Sequence, residues 1–167
     1  MALSFFLPTH SEHKIVLSRL YLRPPIRNDW IKWAKIRSES REFLVPWEPT
    51  WPADALTRSA FRRRLAKYSE EWSSDRGYSF FMFRREDDAL VGGITIANVR
   101  RGVAQLASFG YWIGKHYTRK GYMTEGVIGA SAFAFDKLSL HRLEAACLSS
   151  NLASQGVLKK VGFSYEG

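Results

Sequence analysis

"GYWIGKHYTRKGYMTEG", residues 110–126, opens as an aromatic strand and closes as the mouth of an apolar helix. Between the two it sets Arg119, Lys120 and Gly121. A helix start carries backbone NH groups without intrahelical acceptors and the positive end of the helix dipole, which together attract an anion. Gly121 lets the main chain approach a ligand closely or take a positive φ, and the two cations add charge. A diphosphate suits such a turn, although a glycine there also serves plain turn geometry. The spacing matches neither the phosphate loop ending in Gly-Lys-Ser/Thr nor the three-glycine dinucleotide fingerprint, so nucleoside triphosphates and NAD move down the order.

Upstream of this turn the residues favour strands. Gln105–Ile113, Leu90–Asn98 and Tyr78–Arg84 read as consecutive strands joined by short charged or Gly-containing turns, an antiparallel meander. Downstream the period changes. Val127, Ile128, Ala130, Ala134, Phe135 and Leu138 mark a helix over Glu125–Leu138, buried on most sides. Arg142–Leu148 reads as a strand and Asn151–Val161 as a final helix stopped by Gly162. A strand, helix, strand run implies a parallel crossover beside the meander.

Near the start, Val16, Leu20 and Leu22 alternate with polar neighbours until Pro24, as one strand would. Asn28 and Asp29 then cap a helix carrying Trp30, Trp33, Ala34 and Arg37. "FLVPWEPTWP", residues 43–52, is too rich in proline for regular structure and too apolar for an idle loop. Asp54–Trp72 is a second helix, with an apolar stripe and a basic remainder that includes Arg58, Arg62, Arg63, Arg64 and Lys67. The expected class is α+β: a mixed, mostly antiparallel sheet with one parallel crossover, flanked by about four helices.

The 167 residues, 46% of them hydrophobic, suffice for one core, so a single domain over 1–167 is expected, with 1–14 flexible. A net charge of +9 favours anionic partners: nucleic acid, ribosomal RNA or a phosphorylated cofactor. Cys147 is the only cysteine, which excludes an internal disulfide and an all-cysteine metal site; no metal is expected, and a reducing, cytoplasmic setting is. No run approaches the length of a membrane span.

The order of elements, with "GYWIGKHYTRKGYMTEG" followed by "LHRLEAACLSSNLASQGVLKKVGF" (140–163), resembles the GNAT superfamily of acetyl-CoA-dependent N-acetyltransferases. "RPP", "DW", "FLVPWEP" and "GYMTE" resemble its RimJ/RimL type, which acetylates the N-terminal amine of ribosomal proteins. The superfamily's diphosphate turn, Gln/Arg-x-x-Gly-x-Gly/Ala, falls on Thr118, Gly121 and Met123, and only the central glycine fits. The resemblance implies that Arg119, Lys120, Gly121, Tyr122 and Met123 hold the diphosphate of acetyl-CoA. It further implies that the backbone near Ile113, with Gly110 and Gly114 allowing a splay, meets the pantetheine and the oxyanion. Asn151 would contact the pantetheine arm and Ser154 the sulfur. In the residues alone, Asn151 reads equally as a helix cap and Ser154 as a solvated first-turn residue.

Acetyl transfer from a thioester needs a neutral amine, donors for the oxyanion and a proton for the thiolate. The family's usual acid, a tyrosine in the last helix, is replaced here by Leu158, and Ser154 is the expected substitute. Its usual glutamate base is replaced by Ser108. Glu144, Glu48 and Glu125 are the remaining candidates, Glu144 first, each with a structural alternative. Trp47 and Trp51 would either wall the acceptor site or plug the core. The resemblance implies a protein N-terminus as acceptor, with a ribosomal protein favoured, weak RNA contact through the basic face, and a monomer or homodimer. The alternatives are a small-amine acetyltransferase and a basic RNA-binding module. The family continues beyond "FSYEG" into one or two more strands that close the acceptor side, so the expectation is that another molecule completes the fold or that the sequence continues past this point.

Overall fold

In the computed structural model, which describes residues 13–167, one six-stranded sheet carries five α-helices. The chain runs β1 (Ile15–Val16), β2 (Leu20–Arg23), α1 (Trp30–Glu39), α2 (Arg41–Leu44), α3 (Arg58–Ser73), β3 (Tyr78–Arg84), β4 (Leu90–Arg100), β5 (Leu106–Ile113), α4 (Tyr122–Ala132), β6 (Arg142–Ala145) and α5 (Leu152–Val161). The strands lie in sequence order, every neighbouring pair antiparallel except β5 with β6, which is parallel. The meander and the crossover are those expected; α2, a single turn, is the helix added to the expected four. No helix among the described residues is long and apolar enough to cross a membrane.

Two apolar clusters hold the layers. On one face of the sheet, Val127, Ala130 and Ala134 of α4 and the following turn pack on Leu20, Leu22, Phe80, Met82, Ile94 and Phe109. On the other, Trp33 and Ile36 of α1 and Phe61 of α3 pack on Phe81, Phe83 and Leu90. Alternation of side chains along β3 places Phe80 and Phe81 on opposite faces, which is why this strand is buried on both faces from Tyr78 to Phe83.

Several boundaries differ from the sequence reading, among them the end of β4, which runs on to Arg100, and the end of α4 at Ala132; four others have a clear local reason. The first strand is two: a tight turn, closed by the Leu17 NH donating to the Leu20 carbonyl at 2.8 Å, folds β1 back on β2. α3 starts at Arg58 because the Thr57 hydroxyl accepts the Ala60 NH and leaves Asp54 in the preceding turn. α4 starts at Tyr122, since Gly121 at φ 78° breaks the chain direction there. β6 ends at Ala145, where pairing with β5 stops. Phe43 and Leu44 belong to α2, so "FLVPWEPTWP" is irregular only beyond them, apart from the 3-10 turn Val45–Trp47. The flexibility expected of residues 1–14 falls, up to residue 12, outside the described residues; His13 packs at a tilt against Trp72, and the Lys14 ammonium lies over the Tyr21 ring.

Candidate active site

The turn ahead of α4 is preset for an anion. Gly121 is left-handed at φ 78° and ψ 4°, and Tyr122 enters the helix, a pairing that turns successive NH groups into one concavity. Arg119 also holds a positive φ of 59°, a strained choice for a residue with a side chain. The backbone NH groups from Arg119 to Thr124 find no acceptor among the described residues. Arg119, Lys120 and Gly121 are exposed, whereas Tyr122 and Met123 are buried in the core, so those two offer amides alone. The departures from the motif have structural occupants. Met123 packs among apolar neighbours, and the Thr118 hydroxyl donates to the Lys115 carbonyl at 2.9 Å.

Next to this turn the sheet opens. β5 pairs with β6 only from Leu106 to Phe109, while its other edge stays on β4 as far as Ile113. From Gly110 to Ile113 the edge facing β6 is therefore uncovered by any strand of the described residues. An extended amide chain meets such an edge as an added strand. A Cβ at Gly110 would meet nothing within 4 Å, which leaves room there; one at Gly114 would strike Ile36 Cδ1 at 2.4 Å, so Gly114 serves helix packing rather than the splay.

α5 approaches the open edge with its first turn. The Asn151 side chain accepts the Ser154 NH at 3.1 Å, capping the helix. The Ser154 hydroxyl lies 2.6 Å from the Tyr111 hydroxyl, which also reaches the Ser154 carbonyl at 3.3 Å. Burial pushes the Tyr111 phenol above its ordinary pKa, against the hydrogen bond with Ser154, so it stays protonated at neutral pH. Sequence reasoning missed Tyr111. Its only signal was its place in the strand, on the same face as Phe109, because the contact with α5 depends on the crossover.

Of the candidate carboxylates two are engaged. Glu48 accepts both terminal nitrogens of Arg37, at 2.9 and 2.5 Å, and the Trp51 indole NH at 2.8 Å. Glu125 takes the Arg19 backbone NH and Nε at 2.7 and 2.9 Å. Glu144 is more open. Its Oε1 accepts Arg142 Nε at 2.8 Å, its Oε2 has no donor among the described residues, and it sits opposite Ser108 one residue before β5 and β6 part. Both line a cleft of about 320 Å³ with Asn98, Val99, Arg100 and Leu106. Neither Trp47 nor Trp51 plugs a core cluster. Trp47 is 41% exposed, and Trp51 lies against the Arg37 guanidinium, 4.5 Å from its ring centroid, with Trp112 at 5.0 Å.

An acetyltransferase (GNAT) domain family matches residues 19–164. The chain belongs to the GNAT acetyltransferase family. This acetyltransferase is 36% identical over 148 residues to the Bacillus subtilis (strain 168) protein named "Probable N-acetyltransferase YjcK", covering 89% of this chain and 82% of that one. It is 28% identical to the "[Ribosomal protein uS5]-alanine N-acetyltransferase" of Escherichia coli (strain K12), over 92% of this chain and 79% of that one. Among solved structures it superposes on Mycobacterium smegmatis RimJ in complex with CoA-disulfide with a TM-score of 0.84 and 28% identity, over 93% of this chain and 79% of the other. Acetyl-CoA is the co-substrate, and the residues present fit such a group: the open amides at Gly121 could hold a diphosphate and the free edge of β5 an extended amide chain, with the Ser154 and Tyr111 hydroxyls beyond.

Proposed function

We propose that this acetyltransferase transfers the acetyl group to the N-terminal α-amine of a protein, a ribosomal protein foremost, in the cytoplasm. One observation carries the reading: the open amides, the open strand edge and the Tyr111–Ser154 hydroxyl pair follow one another along a single path. Asn151 and Ser154 stand at its far end, where the pantetheine arm and the sulfur would come. Ser154 holds a proton within reach of a leaving thiolate, with Tyr111 behind it. The acceptor enters from the α1 face, beside Glu144 and Trp51, and backbone NH groups near Ile113 receive the oxyanion.

The choice of amine follows from proton chemistry. At pH 7 an α-amine of pKa about 8 is neutral in roughly a tenth of molecules, whereas a free lysine near 10.4 is neutral in fewer than about one in a thousand. With Glu48 and Glu125 committed to arginines, only Glu144 is left to assist, which suits the acceptor that asks least of a base. Holding such an amine against the thioester supplies acceleration by orientation alone. The name of the Escherichia coli relative supports the same acceptor class.

The basic helix α3 is a weaker case for a nucleic-acid module. Arg63 pairs with Asp54, Lys67 with Glu71, and Arg64 reaches the Tyr68 hydroxyl, so part of its charge is spent within the fold. Its remaining cations suit a weak, salt-sensitive contact with ribosomal RNA during docking. The decisive experiment is calorimetry with acetyl-CoA, followed by mass spectrometry of three acceptors under equal conditions: peptides with a free α-amine, peptides with only a lysine amine, and a polyamine. Preferential acetylation of the α-amine is expected, and turnover of the polyamine alone would overturn the acceptor assignment.

A further inference from the structure

Arg19 stands just ahead of β2, 101 residues from Lys120, yet its donors converge on the phosphate turn. Its backbone NH and Nε donate to the two oxygens of Glu125, and Nη1 donates to the Lys120 carbonyl at 2.7 Å. The guanidinium lies 4.7 Å from the Tyr122 ring centroid. Its Nη2 would stand 3.2 Å from a Cβ at Gly121, so the whole group backs the turn closely. We propose that Arg19 is a positioning residue for the coenzyme: it holds the turn from behind so that the amides of Arg119–Thr124 face the diphosphate. The inference rests on acetyl-CoA as co-substrate and adds a residue that no part of the turn's sequence pattern contains.

Two physical effects carry it. The Lys120 carbonyl and the Gly121 NH belong to one trans peptide plane, in which they point in opposite directions. Fixing the carbonyl on Nη1 therefore aims the Gly121 NH away from Arg19 and outward. If Nη1 were absent, that plane would be free to rotate and turn the carbonyl dipole toward the ligand. The second effect is charge. Glu125 lies in the first turn of α4, where its carboxylate would repel a diphosphate; Nε at 2.9 Å from Oε2 offsets that charge. Loss of Arg19 removes both effects together.

The test compares two acyl donors, acetyl-CoA and S-acetyl-pantetheine, which carries the thioester without the diphosphate. In R19A, the KM for acetyl-CoA and the Kd for CoA should rise about tenfold or more, the scale of a charge-assisted contact. Saturated kcat and the KM for S-acetyl-pantetheine should hold, and R19K should recover part of the CoA affinity because an ammonium keeps the charge but not the fork. An R19A protein that binds CoA as wild type does, or that loses both donors equally, overturns the proposal. Should R19A not fold, the same split is read on R19K. A wild-type protein that binds no CoA would instead remove the cofactor reading itself.

Discussion

The hydroxyls of Tyr111 and Ser154 stand 2.6 Å apart, joining the open end of β5 to the first turn of α5. The pair exists because the parallel crossover brings α5 back across the strand whose edge β6 has left. A serine alone is a poor acid. A serine hydrogen-bonded to a neutral, half-buried phenol has a second proton to draw on, and the Tyr111 phenol is kept neutral by burial.

Replacing Ser154 with Ala should lower kcat by about a hundredfold or more, the scale of a proton-transfer group, while sparing acetyl-CoA affinity. Tyr111→Phe should cost less, since Ser154 keeps its own proton. Because burial raises the phenol's pKa above about 10, wild-type kcat should show no limb from Tyr111 below that pH. A limb near neutrality that Y111F abolishes would contradict the neutral-relay role.

Gly121→Ala tests the turn directly. A non-glycine residue at φ 78° costs about 1–2 kcal/mol, so thermal unfolding should shift down by a few degrees. The new methyl would also press on Arg19 Nη2 at 3.2 Å. The KM for acetyl-CoA should rise while kcat at saturation survives; a variant with wild-type KM would mean that the αL geometry is dispensable.

Much of this was legible in the sequence because it is local. The meander shows in the consecutive strand-like runs Tyr78–Arg84, Leu90–Asn98 and Gln105–Ile113, the crossover in the change of period after Gly114, and the turn ahead of α4 in its glycine. What was not legible depends on contacts between distant segments. Arg19 and Glu125 are 106 residues apart and Tyr111 and Ser154 43, and nothing in the spacing of either pair announces the partner. For the same reason the sequence left Glu48 and Glu125 as base candidates with structural alternatives, without showing that Arg37 and Arg19 are their partners. Boundary errors at Asp54 and Glu125 arose where one cap or one left-handed residue, not hydrophobic period, decides where a helix begins.

Glu48 separates a structural carboxylate from a catalytic one. Arg37 is 8% exposed, and its terminal nitrogens both end on Glu48. Glu48→Ala leaves that guanidinium buried without its counter-ion, a change that costs about 3 kcal/mol in urea unfolding. Glu48→Gln should cost less and keep kcat. A large fall in kcat for E48Q with unchanged stability would return Glu48 to the list of bases.

Glu144 makes the complementary test, and the dependence on pH identifies the role. If its open Oε2 takes the proton of the incoming amine, Glu144→Gln should lower kcat/KM for a peptide by about tenfold to a hundredfold at pH 7, without changing CoA affinity. An α-amine of pKa about 8 loses its proton unaided as pH rises past that value, so the deficit of E144Q should shrink toward pH 9. A purely structural role through Arg142 would give a deficit that stays level across the same range, because the Arg142 charge does not change there. Measuring kcat/KM for wild type and E144Q from pH 6.5 to pH 9 therefore distinguishes the two, and a level ratio would remove Glu144 from the chemistry.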